Sequence, residues 1–355
     1  MTGDMEINLD DVDSIECEEV NDSRSTEEIV VDGGTLTLKS SSNVRFVNVG
    51  FTVISGAALV FDMPKTKIGP NAEGFREESG FIVDVEEGAS ATFLGKVVAK
   101  EVDNCFAIFR NAGTLEFKKM ASFTDGGNVV RANTGTIKFR GNASFKNNKY
   151  LAIQNDDSGY IRFSKEAEFE DNAASFDGAY GCSVTNSDST STVIFAGDTT
   201  FSNDSCGEGV SVYNAGIMKF SSKAYFNDNV GDSNGGAVQN REGSLTFKGA
   251  TQFNRNQADY AGGGIAVEGG DVTFQKAARF TGNSAGDSGG AFAVLEAYNG
   301  ALGSLTFEKP DKVFFADNFV MYPSEDEENC TIGEVEDGTT LVGFPDEDVC
   351  VPSTD

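Results

Sequence analysis

A pair of phenylalanines six residues apart recurs along the chain. The pairs are Phe117/Phe123, Phe139/Phe145, Phe163/Phe169, Phe195/Phe201, Phe220/Phe226, Phe247/Phe253 and Phe274/Phe280, with a stretched version at Phe307/Phe315. The gap inside each of the first seven pairs is constant while the step between pairs varies. That combination means one supersecondary unit stacked on itself, with insertions confined to its loops. Weaker units around Leu38, Phe61 and Phe93 extend the series upstream.

The residues around each pair decide between helix and strand. Leu115/Phe117, Ile137/Phe139, Met218/Phe220 and Leu245/Phe247 stand two apart with a polar residue between them, the period of a strand with one buried face. Gly and Asn precede each of them, residue types that accept the positive φ of a tight corner. No 3.6-residue period competes. The spacing therefore predicts an all-β fold, a single right-handed parallel β-helix of the pectin-lyase-like kind, with three short strands and three turns per coil. The solenoid is expected over residues 31–318, with acidic caps or tails at 1–30 and 319–355.

Aligned coils show two structural columns. Four residues after the first Phe stands a small residue, as at Ala121, Ala143, Thr199, Ala224 and Ala278. Three residues after the second Phe stand Asn148, Asn172, Asp204, Asn229, Asn256, Asn283 and Asn318. An amide stacked on its counterpart one coil away can donate to the neighbour's oxygen and hold the turn backbone, so these asparagines are expected to form a structural ladder rather than a ligand set.

The formal charge is −29, and residues 1–30 and 321–355 carry most of it: each segment holds 11 Asp or Glu, against Arg24 alone. The rest of the chain holds 26 Lys or Arg against 34 Asp or Glu with no basic stripe visible along the sequence, so nucleic acid is not expected as a partner. The acidic ends read as solvated caps that block stacking of open sheet edges and keep the protein monomeric. Loose calcium association stays open, although neither an EF-hand loop nor a glycine- and aspartate-rich nonapeptide is present. No zinc spacing occurs, so no metal site or other cofactor is expected.

Cys330 and Cys350 bracket the acidic C-terminal segment and are the candidate disulfide. Cys105 and Cys182 read as small core residues, and Cys17 and Cys206 stay unassigned. Sequons occur at Asn21, Asn142, Asn203 and Asn329. The first 20 residues lack the apolar stretch of a signal peptide, and no run is long enough to span a membrane as a helix.

Gly235-Gly-Ala-Val238, Gly262-Gly-Gly-Ile265 and Gly289-Gly-Ala-Phe292, together with Phe145-Lys-Asn-Asn148 and its five successors, resemble the GGA(I/L/V) and FxxN tetrapeptides of chlamydial-type polymorphic outer membrane proteins. The resemblance covers mainly residues 145–318. It implies a β-helical passenger with a surface-exposed adhesive role, without the C-terminal barrel of that family, since 319–355 shows no amphipathic strand pattern.

The strand before the last corner of each coil places Ala152/Gln154, Ser183/Thr185, Ser211/Tyr213 and Ala237/Gln239 at positions expected to point outward. They are small and uncharged, and Gln154, Ser183, Thr185, Ser211, Tyr213, Ala237 and Gln239 form the candidate binding face, whose contacts should depend little on salt. Two other readings stay open. A polysaccharide lyase or glycoside hydrolase would need clustered acids with a base on one face; Arg110, Arg131, Asp156, Asp157 and Asp171 are the available groups, in a chain without histidine. Ice binding would need a threonine array, and only Thr246, Thr273 and Thr306 line up. The expected function is non-catalytic adhesion or scaffolding at the cell surface or outside the cell, with a surface or matrix protein or a polysaccharide as partner; an intracellular location is the alternative.

Overall fold

From Thr114–Phe117 to Gly303–Phe307 each first-wall strand ends on the first phenylalanine of a pair and the next strand carries the other, so the repeat maps directly onto coils. The computed structural model describes residues 3–16, 28–69, 81–102, 107–174, 181–206, 210–321, 333–335 and 340–342. Its strands pair in parallel, each with the equivalent strand one coil away, and the only helix among the described residues is the short 3-10 turn Pro310–Lys312. That is a parallel β-helix. The contacts divide into two units, Met1–Ala167 and Glu168–Asp355.

In the first unit, the first wall runs from Met5–Asn8 through Gly34–Lys39, Ala57–Asp62, Ser90–Phe93, Thr114–Phe117 and Thr136–Phe139 to Tyr160–Phe163. The second wall contains Val44–Val47, Lys65–Ile68, Lys96–Lys100, Ala121–Thr124 and Ala143–Lys146, and the third contains Gly50–Val53, Phe81–Val85, Ala107–Asn111, Val130–Asn133 and Ile153–Asp156. Strands also occur at Met5–Asn8, Ser14–Glu16 and Glu28–Val31, inside the segment expected to be only an acidic cap.

The second unit repeats the three walls and adds a fourth ladder of two-residue strands: Ala173–Ala174, Ser205–Cys206, Val230–Gly231, Gln257–Ala258, Ser284–Ala285 and Phe319–Val320. Gly333–Val335 and Thr340–Val342 continue its third and first walls beyond residue 318.

The core is a set of aromatic columns. Phe220, Phe247 and Phe274 stack with centroids 5.0 and 4.6 Å apart. Phe226, Phe253 and Phe280 stack at 4.7 and 4.8 Å. Within one coil the two rings meet edge to face, as for Phe247 and Phe253 at 6.1 Å and 82°, the arrangement favoured by the ring quadrupole. Cross-coil spacing follows the strand separation of about 4.8 Å, which flat rings tolerate without a gap. The small column is buried at the bend from first to second wall. Where it is threonine, the hydroxyl donates to its own turn, Thr199 to the Gly197 carbonyl at 3.3 Å and Thr251 to that of Gly249 at 3.4 Å.

The residue just before each ladder position is left-handed: Asn147, Asp171, Asn203, Asp228, Arg255 and Asp317 have φ between 53 and 57°. Asn and Asp tolerate this region best, which accounts for the third letter of the FxxN motif. The first letter faces the core, the second faces out, and the fourth builds the ladder.

Candidate functional site

The amide ladder is present and fully bonded in the second unit. Asn256 donates through its backbone N and its Nδ2 to Oδ1 of Asn283, at 3.0 and 2.9 Å, and Nδ2 also reaches the Phe226 carbonyl at 3.0 Å. Asn229 repeats the pattern toward Asn256 and Asn283 toward Asn318. In the first unit Asn148 accepts from the Gly126 backbone N at 3.3 Å. Asn172 donates to Asp204, as described below.

A second buried ladder, at the end of the third wall, has no counterpart in the sequence reading. Asn186 donates to Asn214 at 2.8 Å, and Asn214 to Asn240 at 2.7 Å. Asn214 and Asn240 stand two and three residues before the corner glycines Gly216 and Gly243, and that recurring Asn-to-Gly spacing is the signal that could have revealed them; Asn186 has no such glycine. In the first unit Ala132 stands in register between Asn111 and Asn155, and the buried Asn111 Oδ1 accepts no hydrogen bond.

The candidate binding face is not a face. Ser183, Thr185, Ser211, Tyr213, Ala237 and Gln239 are all buried, Ser183, Ser211 and Ala237 completely; only Gln154, in the first unit, is partly exposed. Two physical reasons account for this. The column Ser211, Ala237, Gly264 abuts the core: a Cβ on Gly264 would lie 3.2 Å from the Phe280 ring. The alternate column is covered by the glycine turns, because a Cβ on Gly235 (φ 80°) would lie 3.1 Å from the Ala266 backbone N, and one on Gly262 (φ 69°) 3.0 Å from that of Ala293. The GGA(I/V) motif thus describes a turn folded over the next coil, with a small third residue against phenylalanine. Tyr213 pairs in register with Gln239, whose Nε2 donates to Glu268 at 2.7 Å.

Ser183 and Ser211 converge instead on Asp204, the one ladder position occupied by an acid among Asn172, Asn229, Asn256, Asn283 and Asn318. Ser183 Oγ donates to Asp204 Oδ2 at 2.6 Å, Ser211 Oγ donates to the same oxygen, and Asn172 donates to Oδ1 from its backbone N at 3.0 Å and its Nδ2 at 3.3 Å. Burial pushes the Asp204 carboxyl up to about 6, against the lowering effect of those donors. Desolvation wins because no cation accompanies the charge. Beside this cluster Cys182 and Cys206 form a buried disulfide, with Cα atoms 5.6 Å apart. This corrects the reading of Cys182 as a plain core residue. The candidate pair Cys330 and Cys350, like Cys17 and Cys105, lies outside the described residues.

Acids and bases do meet on the outer side of the third wall in the first unit. Arg110 Nε donates to Asp84 Oδ1 at 2.7 Å, with its second nitrogen on Oδ2, and Arg131 lies 3.4 Å from Asp156. Each arginine is thus held in an ion pair. Asp157 and Asp171 both occupy left-handed corners and do not join these pairs. Among the described residues no group of three or more Cys, Asp or Glu is arranged to hold a metal ion, and no helix is long and apolar enough to cross a membrane. Of the sequons, Asn142 donates to Glu166 at 2.9 Å, Asn203 is exposed at its corner, and Asn21 and Asn329 lie outside the described residues. Thr246, Thr273 and Thr306 are adjacent in register on the first wall, flanked by Lys219 and Val342.

The absence of a basic stripe does not survive the register. In the first unit, cations 21 to 31 residues apart in the chain, from Lys39 to Lys165, collect at the corner between first and second walls, one or two per coil. Compared with family models, curated proteins and solved structures, the chain matches none of them.

Proposed function

We propose that this chain is a non-catalytic adhesion or scaffold protein of the cell surface or extracellular space, of the kind its GGA(I/V) and FxxN tetrapeptides resemble in polymorphic outer membrane proteins. The observation that carries the reading is the buried Cys182–Cys206 bond between successive coils, because a disulfide of this kind persists in oxidising compartments and is rare in reducing ones. The stacked core supports it: coils held by phenylalanine and amide ladders make outer walls whose positions are set by the strand spacing, a rigid support for contacts repeated along one direction. The Asp84–Arg110 and Arg131–Asp156 pairs favour a structural over a catalytic use of those groups, since a paired guanidinium is a poor base.

The test is attachment of beads coated with the purified chain to cells and to matrix, alongside an assay for sugar ends released from a panel of acidic polysaccharides. Saturable attachment without release is expected. Release of unsaturated or reducing ends, lost on replacing Asp84 or Asp156, would overturn the proposal in favour of a polysaccharide lyase or hydrolase.

A further inference from the structure

We infer that the corner between the first and second walls of the first unit is a docking ridge for a linear acidic polysaccharide, a polymer with one carboxylate or sulfate on each sugar or every second sugar. This deepens the adhesion reading by naming a surface and a partner chemistry. In six successive coils that corner carries Lys39, Lys65, Lys96, Lys119, Arg140 and Lys165. Register holds them together: Lys65 is the direct strand partner of Lys96, Lys39 neighbours Asp62, and the backbone N of Arg140 bonds the Phe117 carbonyl next to Lys118. All but the half-buried Lys65 are exposed. Only Asp62 and Glu166 oppose them at these corners, in a chain of net charge −29.

Part of the charge is neutralised locally. Lys118 and Arg140 share Glu116, Arg140 at 2.7 Å, and Lys39 lies 3.4 Å from Glu6. Burial works to raise the Glu116 carboxyl, but the hydrogen bonds from Lys118 and Arg140 outweigh it and hold it below its ordinary range. Lys65, Lys96, Lys119 and Lys165 make no ion pair among the described residues. Next to the shared Glu116, Lys138 and Arg162 follow in register on the first wall. The ridge therefore keeps a net positive strip about 24 Å long, at about 4.8 Å per coil.

The shape selects the partner. A corner two to four residues wide touches a line rather than a plane, which suits an extended polymer better than a membrane. Its anionic groups, spaced by a pyranose ring or two, are commensurate with a coil rise of about 4.8 Å. Between the cations stand Leu94 and Met120, both 38% exposed, apolar contacts for the CH faces of sugars. No aromatic ring lies in the strip, so it lacks the stacking platform that single-stranded nucleic acid requires. The corner of the first coil carries Asp10, Asp11 and Asp13 instead, which ends the strip at that side.

The experiment uses the full chain with polygalacturonate and chondroitin sulfate, dextran as the neutral polymer, duplex DNA, and phosphatidylserine vesicles. Binding to the two acidic polysaccharides and not to dextran is expected at about 50 mM salt, weakening with added salt as counterion release requires. Lys65→Ser/Lys96→Ser/Lys119→Ser/Lys165→Ser should weaken it by about tenfold or more and flatten the salt slope, whereas Arg241→Ser should leave it unchanged. If the quadruple variant melts early, Lys119→Glu/Lys165→Glu carries the same test. No binding to either acidic polymer, unchanged binding by these variants, or tighter binding to DNA or vesicles would overturn the inference. Attachment to cells by a chain that ignores acidic polysaccharides would sink the ridge and leave adhesion standing; polysaccharide binding without attachment would do the reverse.

Discussion

Replacing Asp204 with asparagine should stabilise the second unit at alkaline pH and do nothing at acid pH. The ladder calls for a group that both accepts and donates, and Asn229, Asn256 and Asn283 do both. An ionised Asp204 only accepts, from Ser183, Ser211 and Asn172, and is fully buried without a cation. Its folded pKa of about 6 lies above the reference value of 3.8. A raised acid is penalised when ionised, so the penalty is fully present above pH 6, shrinks as pH falls through that value, and is gone below about 4. Two units at about 1.4 kcal/mol each give roughly 3 kcal/mol. Asp204→Asn removes the charge and supplies an NH₂ donor, leaving Ser183 and Ser211 to turn their hydroxyls. Urea unfolding followed by far-UV circular dichroism at pH 8, 6 and 4 should show the variant ahead by roughly 3 kcal/mol at pH 8, with the curves converging at pH 4. A gap independent of pH, or a variant less stable at pH 8, would refute the argument that the cost is desolvation of an uncompensated charge.

Phe247→Ala removes a ring stacked on Phe220 and Phe274 and should cost about 3 to 5 kcal/mol in the same unfolding assay. Asn256→Leu removes the Oδ1 that accepts from the backbone N and Nδ2 of Asn229 and the amide that donates to the Phe226 carbonyl, so its melting temperature should fall well below that of Lys248→Ser, an exposed corner change; equal values would remove the ladder from the energetics. Non-reducing peptide mapping should recover Cys182 linked to Cys206, and Cys182→Ala/Cys206→Ala should lose about 3 kcal/mol, the chain-entropy value for a loop of this size.

Much of the fold was legible in the sequence because a coil can only repeat if its inward residues repeat. The constant gap of Phe220/Phe226 and its relatives encodes two walls and the bend between them, and the asparagine three residues later encodes the corner. The Gly-Gly tetrapeptides at Gly235 and Gly262 were visible in the sequence as a repeated motif, but that both glycines turn with positive φ is a property of the folded coil.

What only the tertiary structure decided is which residues meet across coils and what covers them. Period-two alternation says that Tyr213 and Gln239 alternate with core residues, but cannot say that a glycine turn lies over that side of the wall. Ser183, Ser211 and Asp204 are ordinary polar residues in the sequence, and their convergence depends on loops of different length returning the chain to the same place. The Cys182–Cys206 bond and the row of corner lysines arise the same way: each coil contributes one residue, and only stacking at a strand's width brings them together.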